Sequence, residues 1–403
     1  MQTELADFIR DTPEGREAQA ILRKCVHCGF CTATCPSYQV LGDDLDSPRG
    51  RIYLMKRALE GGPITERTRR HLDRCLTCRA CETTCPSGVR YGRLVDIGRA
   101  VVEAKTRRGP LERLQRAALA FALPRTSLFA FFLGIGRAMR PLLPRALREK
   151  ILPKAPAGAW PAPRHARRML VLRGCVQPAL APSINAAAAR VLDRMGISLI
   201  ETPGAGCCGA VRFHLNDQEA GRNDMRALID AWWPTIERGE VEAIVMSASG
   251  CGVTVKDYAH TLAGDPQYRD KAARISALTR DLCEVVEPDK IQSVKSGTVA
   301  FQSPCTLQHG QQIRGRVETL LGSAGYELVP VDDAHLCCGS AGTYSLLQPQ
   351  IAGELRRRKL QALQANAPDL IATANIGCLA HLQGAAQRPV RHWIELLDVE
   401  SPP

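Results

Sequence analysis

The stretches "AGCCGA" (205–210) and "LCCGSA" (336–341) each set two adjacent cysteines before a glycine, in a single chain of 403 residues. The same frame surrounds both. Cys175 precedes Cys207 by 32 residues, and Cys305 precedes Cys337 by the same 32. Further along each half stands one more cysteine, Cys251 in "AIVMSASGCG" and Cys378 in "LIATANIGCLAH". Apolar runs lead into each of these places. "RMLVLRG" (168–174), "ISLIE" (197–201) and "EAIVMSA" (242–248) do so in the first half. "TVAFQS" (298–303), "YELVPV" (326–331) and "DLIATA" (369–374) do so in the second. Helical stretches such as "SINAAAARVLDRM" (183–195) and "GELRRRKLQAL" (353–363) fall between them. Strands alternating with helices predict a mostly parallel sheet. Such sheets build their sites on loops at strand C-terminal ends, and all six cysteine elements fall on those loops. Adjacent cysteines can be incidental core residues, a strained vicinal disulfide, or joint ligands of one iron–sulfur cluster. In the last case glycine would let the backbone come close to inorganic sulfur. Repetition at matched spacing disfavours the incidental reading.

Nearer the N-terminus, "CVHCGFCTATCP" gives Cys25, Cys28, Cys31 and Cys35, and "CLTCRACETTCP" gives Cys75, Cys78, Cys81 and Cys85. Both read C-x2-C-x2-C-x3-C-P, the run found in bacterial ferredoxins. Three thiolates at two-residue gaps wrap three corners of a cubane, and the fourth ligates the other cluster. One [4Fe–4S] cluster is therefore expected on Cys25, Cys28, Cys31 and Cys85, and a second on Cys75, Cys78, Cys81 and Cys35. Zinc fits poorly, because it wants two C-x2-C halves separated by a longer loop. Eight cysteines complete both clusters, so His27 and His71 read as surface or packing residues rather than ligands. "RGRIYLMKRALEG" and "TERTRRHLDRC" between the runs predict helices.

Seventeen cysteines in so long a chain, an odd number behind a polar start, do not describe a secreted disulfide scaffold. The expectation is the reducing cytosol, where clustered thiols serve metals and redox chemistry. Cys283 fits neither pattern and reads as structural. The net charge of +12 is concentrated. Between Lys105 and Arg168 fifteen Lys or Arg face only Glu112 and Glu149. That segment is also marked by proline, and "PKAPAGAWPAPRHARR" reads as a linker. Its apolar run "TSLFAFFLGIG" (126–136) is too short to cross a bilayer. It could lie on one, with Phe129, Phe131 and Phe132 inserted and Arg125, Arg137 and Arg140 at the headgroups. A solvated connector is the other reading. A basic patch can bind nucleic acid, but the apolar interruptions and prolines argue against a nucleic-acid partner. No glycine-rich dinucleotide fingerprint and no hydrolytic triad is present, so no catalytic residue is assigned. His214, His309, His335 and His381 lie beside cysteine motifs and read as hydrogen-bonding neighbours.

The paired-cysteine repeat resembles the cysteine-rich "CCG" domain of heterodisulfide reductase subunits and of respiratory iron–sulfur subunits such as that of anaerobic glycerol-3-phosphate dehydrogenase. In the heterodisulfide reductase relatives each repeat ends in C-x2-C and holds a non-cubane cluster. This chain departs from that, ending Cys251-Gly252-Val253-Thr254 and Cys378-Leu379-Ala380-His381. Four thiols per repeat remain as possible further ligands: Cys175, Cys207, Cys208 and Cys251, then Cys305, Cys337, Cys338 and Cys378. The alternative is a scaffold whose cysteines carry no metal. Over nearly its full length the chain is similar to the iron–sulfur subunits of bacterial glycolate oxidases. The strings that carry this include "SPRGRIYLMK", "HLDRCLTCRACETTCPSGVRYG", "AGCCGAVRFHLN", "PCTLQHGQ", "HLCCGSAGTYSL" and "RHWIELL".

The resemblance implies an α+β multidomain chain. Residues 1–104 would form an α-helical ferredoxin-like module with two [4Fe–4S] clusters, and 105–168 a basic linker or a membrane or partner contact. Residues 169–290 and 291–403 would form two repeated α/β CCG domains. It implies an electron-transfer subunit whose FAD-binding partner subunits oxidise glycolate to glyoxylate. Electrons would pass to a quinone or other membrane acceptor, at the cytoplasmic face of the inner membrane. The alternatives are the equivalent subunit of a D-lactate or glycerol-3-phosphate dehydrogenase, or a heterodisulfide reductase-like catalytic subunit.

Overall fold

The computed structural model describes residues 1–142, 151, 156–292 and 297–400. The chain divides into two compact units, and neither is continuous in sequence. The first joins Met1–Ala117 to His335–Lys359, and the second joins Ala118–Ala334 to Leu360–Pro403.

The first unit is helical. Its main helices are Pro13–Lys24, Pro48–Leu59, Glu66–Asp73 and Tyr91–Lys105. Side chains written just ahead of them start the first three. The Thr12 hydroxyl accepts from Gly15 N–H, Ser47 from Gly50 N–H and Thr65 from Thr68 N–H, each satisfying an orphan donor of the first turn. Leu22, Met55, Leu59, Leu72, Leu94 and Val95 fill the core between them. Gly98 is needed for that packing, since a Cβ there would sit 2.5 Å from the Met55 side chain. Two of these helices stop at a cysteine run, Pro13–Lys24 directly before Cys25 and Glu66–Asp73 two residues before Cys75.

The second unit holds two four-stranded sheets. The first sheet has β1 (Arg167–Val171), β2 (Ile197–Glu201), β3 (Ala243–Met246) and β4 (Thr279–Asp281), in the order β2-β1-β3-β4. The second has β5 (Gly297–Gln302), β6 (Tyr326–Leu328), β7 (Leu370–Thr373) and β8 (Val390–His392), in the order β6-β5-β7-β8. Every pairing is parallel, so the halves repeat in topology as well as in cysteine spacing. The six expected strands are present, and the helices Ser183–Arg194 and Pro349–Gln364 lie where their patterns placed them. The edge strands β4 and β8 are additions. At three residues each, "TRD" and "VRH", they carry no readable period.

Polar groups join the two sheets. The His392 ring meets the Ser247 carbonyl at 2.9 Å, Ser249 N–H donates to Ala374 O, and Gly250 N–H to the Asn375 side chain. Arg190 is buried against Asp398 at 2.6 Å. In the basic segment the structure shows helices, Pro110–Ala122 and Thr126–Met139. Its proline-rich end is largely exposed and is tethered at a few points: Trp160 donates to Leu199 O, and Arg164 and His165 both engage Asp193. Residues 143–150 and 152–155 of the predicted linker lie outside the described residues.

Candidate metal centres

In the first unit the two cysteine runs share one backbone path. The third residue of each is left-handed, His27 at φ 56° and Thr77 at φ 55°, and so is the fifth, Gly29 at φ 88° and Arg79 at φ 61°. Three of these four are not glycine, so the conformation is held by the loop. Left-handed residues between right-handed ones turn successive N–H groups inward, a concavity suited to anions and to iron–sulfur groups. Thr77 N–H already points at Cys75 Sγ, 3.4 Å away.

Each loop frames a hollow. One, of about 440 Å³ and open to solvent at its mouth, is lined by Cys25, Cys28, Cys31 and Cys85. The other, of about 350 Å³, is lined by Cys35, Cys75, Cys78 and Cys81. The structure thus brings together the two crossed sets that the spacing predicted, with the last cysteine of each run exchanged. Pro48, Cys81 and Tyr91 line both hollows and form the wall between them. Burial raises the Cys25 thiol above its ordinary range, raises Cys31 to about 11, and raises Cys81 well above its ordinary range. Four thiols around one hollow do not ionise together unaided. Bound iron supplies the positive charge that deprotonates them, so the donor sets fit the group.

Around the second hollow lies a shell that sequence reading missed. Arg51 is fully buried. It donates to His71 O at 2.7 Å and to Ser37 Oγ at 3.0 Å, and reaches Cys35 Sγ at 4.0 Å. Burial opposes its charge, but Cys75, Tyr91, Cys35 and Asp46 hold it protonated. Asp46 is shared by Arg51, Arg74 and His71. His71 is buried with its Nδ1 3.0 Å from Asp46, a packing position. Arg99 donates to the carbonyls of Leu72 and Cys75, and the Tyr91 hydroxyl faces Cys75 Sγ at 3.7 Å. The signal was present in "RGRIY" and "VRYG", but a buried arginine is not distinguishable from a surface one by spacing.

In the second unit the four thiols of the first repeat converge. Cys175 follows β1, Cys207 and Cys208 follow β2, and Cys251 follows β3. The gap between β1 and β3 is where the strand order reverses, the usual site position in such sheets. Cys175 is hydrogen-bonded to Cys207, Cys207 to Cys208, and Cys208 to Cys251. The contact with Cys207 raises Cys175 and Cys208, while hydrogen bonds from both lower Cys207. Gly209 N–H also points at Cys207 Sγ, at 3.4 Å, and the buried Tyr258 hydroxyl donates to Cys208 O at 2.8 Å.

The glycine of this motif also packs closely against the protein itself. Gly209 is left-handed at φ +84°, and a Cβ would lie 2.5 Å from Gly221 O. That close approach is to the helix Gln218–Glu237. Gly339 repeats this at φ +91° against Ala352 O, again with its N–H on the preceding cysteine, Cys337. Cys305 and Cys378 follow β5 and β7 in the second unit, where Asn375 Nδ2 donates to Cys378 Sγ at 3.5 Å. Cys337 and Cys338 belong to the first unit. Thr254 bonds back to Gly250 O. Cys283 is fully buried beside Asp281, which accepts from its N–H, in keeping with a structural role.

Comparison with known proteins agrees with this geometry. Residues 21–89 match the family of 4Fe-4S dicluster domains, and residues 169–256 and 299–383 each match the cysteine-rich domain. The chain is 52% identical to the glycolate oxidase iron-sulfur subunit of Escherichia coli (strain K12), over 99% of this chain and 98% of that one. It is 31% identical to the probable glycolate oxidase iron-sulfur subunit of Bacillus subtilis (strain 168), over 91% and 89%. Lactate utilization protein A of Geobacillus thermodenitrificans is 27% identical, over 54% of this chain and 92% of that protein. With crossed thiol sets in a dicluster domain and two cysteine-rich repeats behind it, the chain belongs to the family of glycolate oxidase iron–sulfur subunits.

Proposed function

We propose that this chain is the electron-transfer subunit of a membrane-associated glycolate dehydrogenase. Oxidation of glycolate to glyoxylate releases two electrons and two protons, and an FAD-binding partner subunit takes them up. This chain accepts the electrons singly and hands them to a quinone-type acceptor. Iron–sulfur clusters supply one-electron reduction and reoxidation. The residues here hold them: Cys25, Cys28, Cys31 and Cys85 for one, Cys75, Cys78, Cys81 and Cys35 for the other. The observation that carries the reading is the pair of hollows, each lined by three cysteines of one run and the last cysteine of the other, with Cys81 in the wall they share. The converged thiols Cys175, Cys207, Cys208 and Cys251 support a further cluster in the first cysteine-rich repeat. Near-complete coverage of the glycolate oxidase subunits, against 54% for the lactate utilization protein, favours glycolate over D-lactate.

The test is a crossed pair of variants in the full chain, purified without oxygen. Cys85→Ser should abolish the same paramagnetic signal as Cys28→Ser, and Cys35→Ser the same signal as Cys78→Ser, each with loss of about four irons. Signals grouped by run instead, with Cys85 behaving like Cys78, would sink the ligand assignment.

A further inference from the structure

The two cysteine runs share a fold but not an environment. Position by position, Val26 of the first run is 70% exposed and its counterpart Leu76 only 6%. Phe30 is 61% exposed and its counterpart Ala80 only 1%. Cys28 is exposed and Cys78 half-buried. Apolar side chains on either side of an exposed thiol are costly to leave in water, and aromatic anchors of this kind mark docking surfaces.

On the other side, the first unit includes a segment that arrives from late in the chain, His335–Lys359, which begins with the Cys337-Cys338-Gly339 loop. Tyr344 anchors it. The tyrosine is buried, and its hydroxyl donates to the carbonyl of Arg74 at 3.1 Å, one residue before Cys75. The same ring lies within electrostatic reach of Arg51, Cys75, Cys337 and Arg99. Arg358 adds a bond from this segment to Gln39 O. Tyr91 and Cys81 meanwhile stand in the wall shared by the two hollows.

We propose that the first unit is polar, with electrons entering at the Cys25/Cys28/Cys31/Cys85 site, whose Val26–Phe30 rim docks the flavin-bearing partner, and leaving from the Cys35/Cys75/Cys78/Cys81 site on the Tyr344 side, toward Cys337–Cys338. This rests on the electron-transfer reading above. Each passage moves one electron from a reduced iron–sulfur group to an oxidised one, with no bond made or broken. The Tyr344 side is already occupied by the chain's own segment, so the open Val26–Phe30 rim is the face left for a donor. Tyr344 is a positioning residue. It holds the loop against the backbone that carries Cys75 and need not itself change oxidation state.

Two full-chain variants test this. Val26→Ser with Phe30→Ser should weaken binding of the purified FAD-bearing partner at least tenfold, compared in preparations matched to the unsubstituted chain in iron content and in both paramagnetic signals. Wild-type affinity in that double variant overturns the entry face. Tyr344→Phe keeps the ring and removes one hydroxyl. It should shift the midpoint and line shape of the signal lost in Cys35→Ser, and leave the signal lost in Cys85→Ser unchanged. Equal effects on both signals, or none, overturn the exit side. Failure of the unsubstituted chain to bind the flavoprotein at all would fell the functional reading and this proposal together, and the control separates that case from the others.

Discussion

Single residues show how tightly the sites are built. Gly209 combines a left-handed backbone with a neighbouring carbonyl 2.5 Å from any added Cβ. Gly209→Ala should cost about 1–2 kcal/mol from the backbone term, with the clash against Gly221 O in addition, read as a lower urea midpoint. Arg51 is buried with Asp46 as a partner. Arg51→Met leaves that carboxylate under-compensated beside Cys35, and removing one partner of a buried pair costs about 3–5 kcal/mol. The same denaturation series should show it, with Arg51→Lys falling between. His392 supplies a pH dependence. Burial lowers its pKa to about 4, while the unfolded ring titrates near 6.5. Between those values the unfolded chain binds the extra proton, so stability falls as pH drops from 6.5 toward 4, by about 3 kcal/mol in all. A shallower acid slope in His392→Gln, measured by urea midpoint against pH, is the expected result. An unchanged slope would assign the acid sensitivity elsewhere.

At the scale of elements, the sequence spoke clearly wherever a period or a spacing was long. The run "SINAAAARVLDRM" marked a helix because its small apolar residues fill one face. "ISLIE" marked a strand whose bounds match β2, because β-branched residues stop at a Pro-Gly turn. The crossed thiol sets were legible because cubane geometry dictates the gaps. What stayed hidden was held by tertiary contact. The strands β4 and β8 exist only as partners of β3 and β7, and "TRD" or "VRH" alone has no reason to extend. The helix Thr126–Met139 was read as an apolar run between arginines. Its Phe131 and Phe132 are exposed, whereas Phe129 is half-buried, and Arg137 turns inward to Ala179 O rather than outward. If this helix rests on lipid, Phe131→Ser with Phe132→Ser should reduce co-sedimentation with anionic vesicles several-fold, while Arg137→Gln changes it little. Equal sedimentation of the phenylalanine variant would reject the lipid contact. Among the described residues no single helix is long and apolar enough to cross a membrane.

For the whole molecule, the sequence suggested modules strung in order, a cluster module followed by two repeats. The structure keeps the repeats but not the tidy order, because residues 335–359 of the second repeat are packed with the N-terminal unit. Nothing local announces this. Tyr344 and Arg358 look like ordinary loop and helix residues until their partners, Arg74 O and Gln39 O, are known. Iron counted per intact chain should be unaffected by salt, since every ligand proposed is covalently part of one chain, whereas a site shared between copies would dilute out.

That interleaving also sets an order of events during synthesis. The eight N-terminal cysteines leave the ribosome hundreds of residues before the segment that completes their unit. Until that segment has emerged, the backbone around Cys75 lacks its Tyr344 clasp, so the N-terminal unit cannot complete its fold until most of the chain has been made.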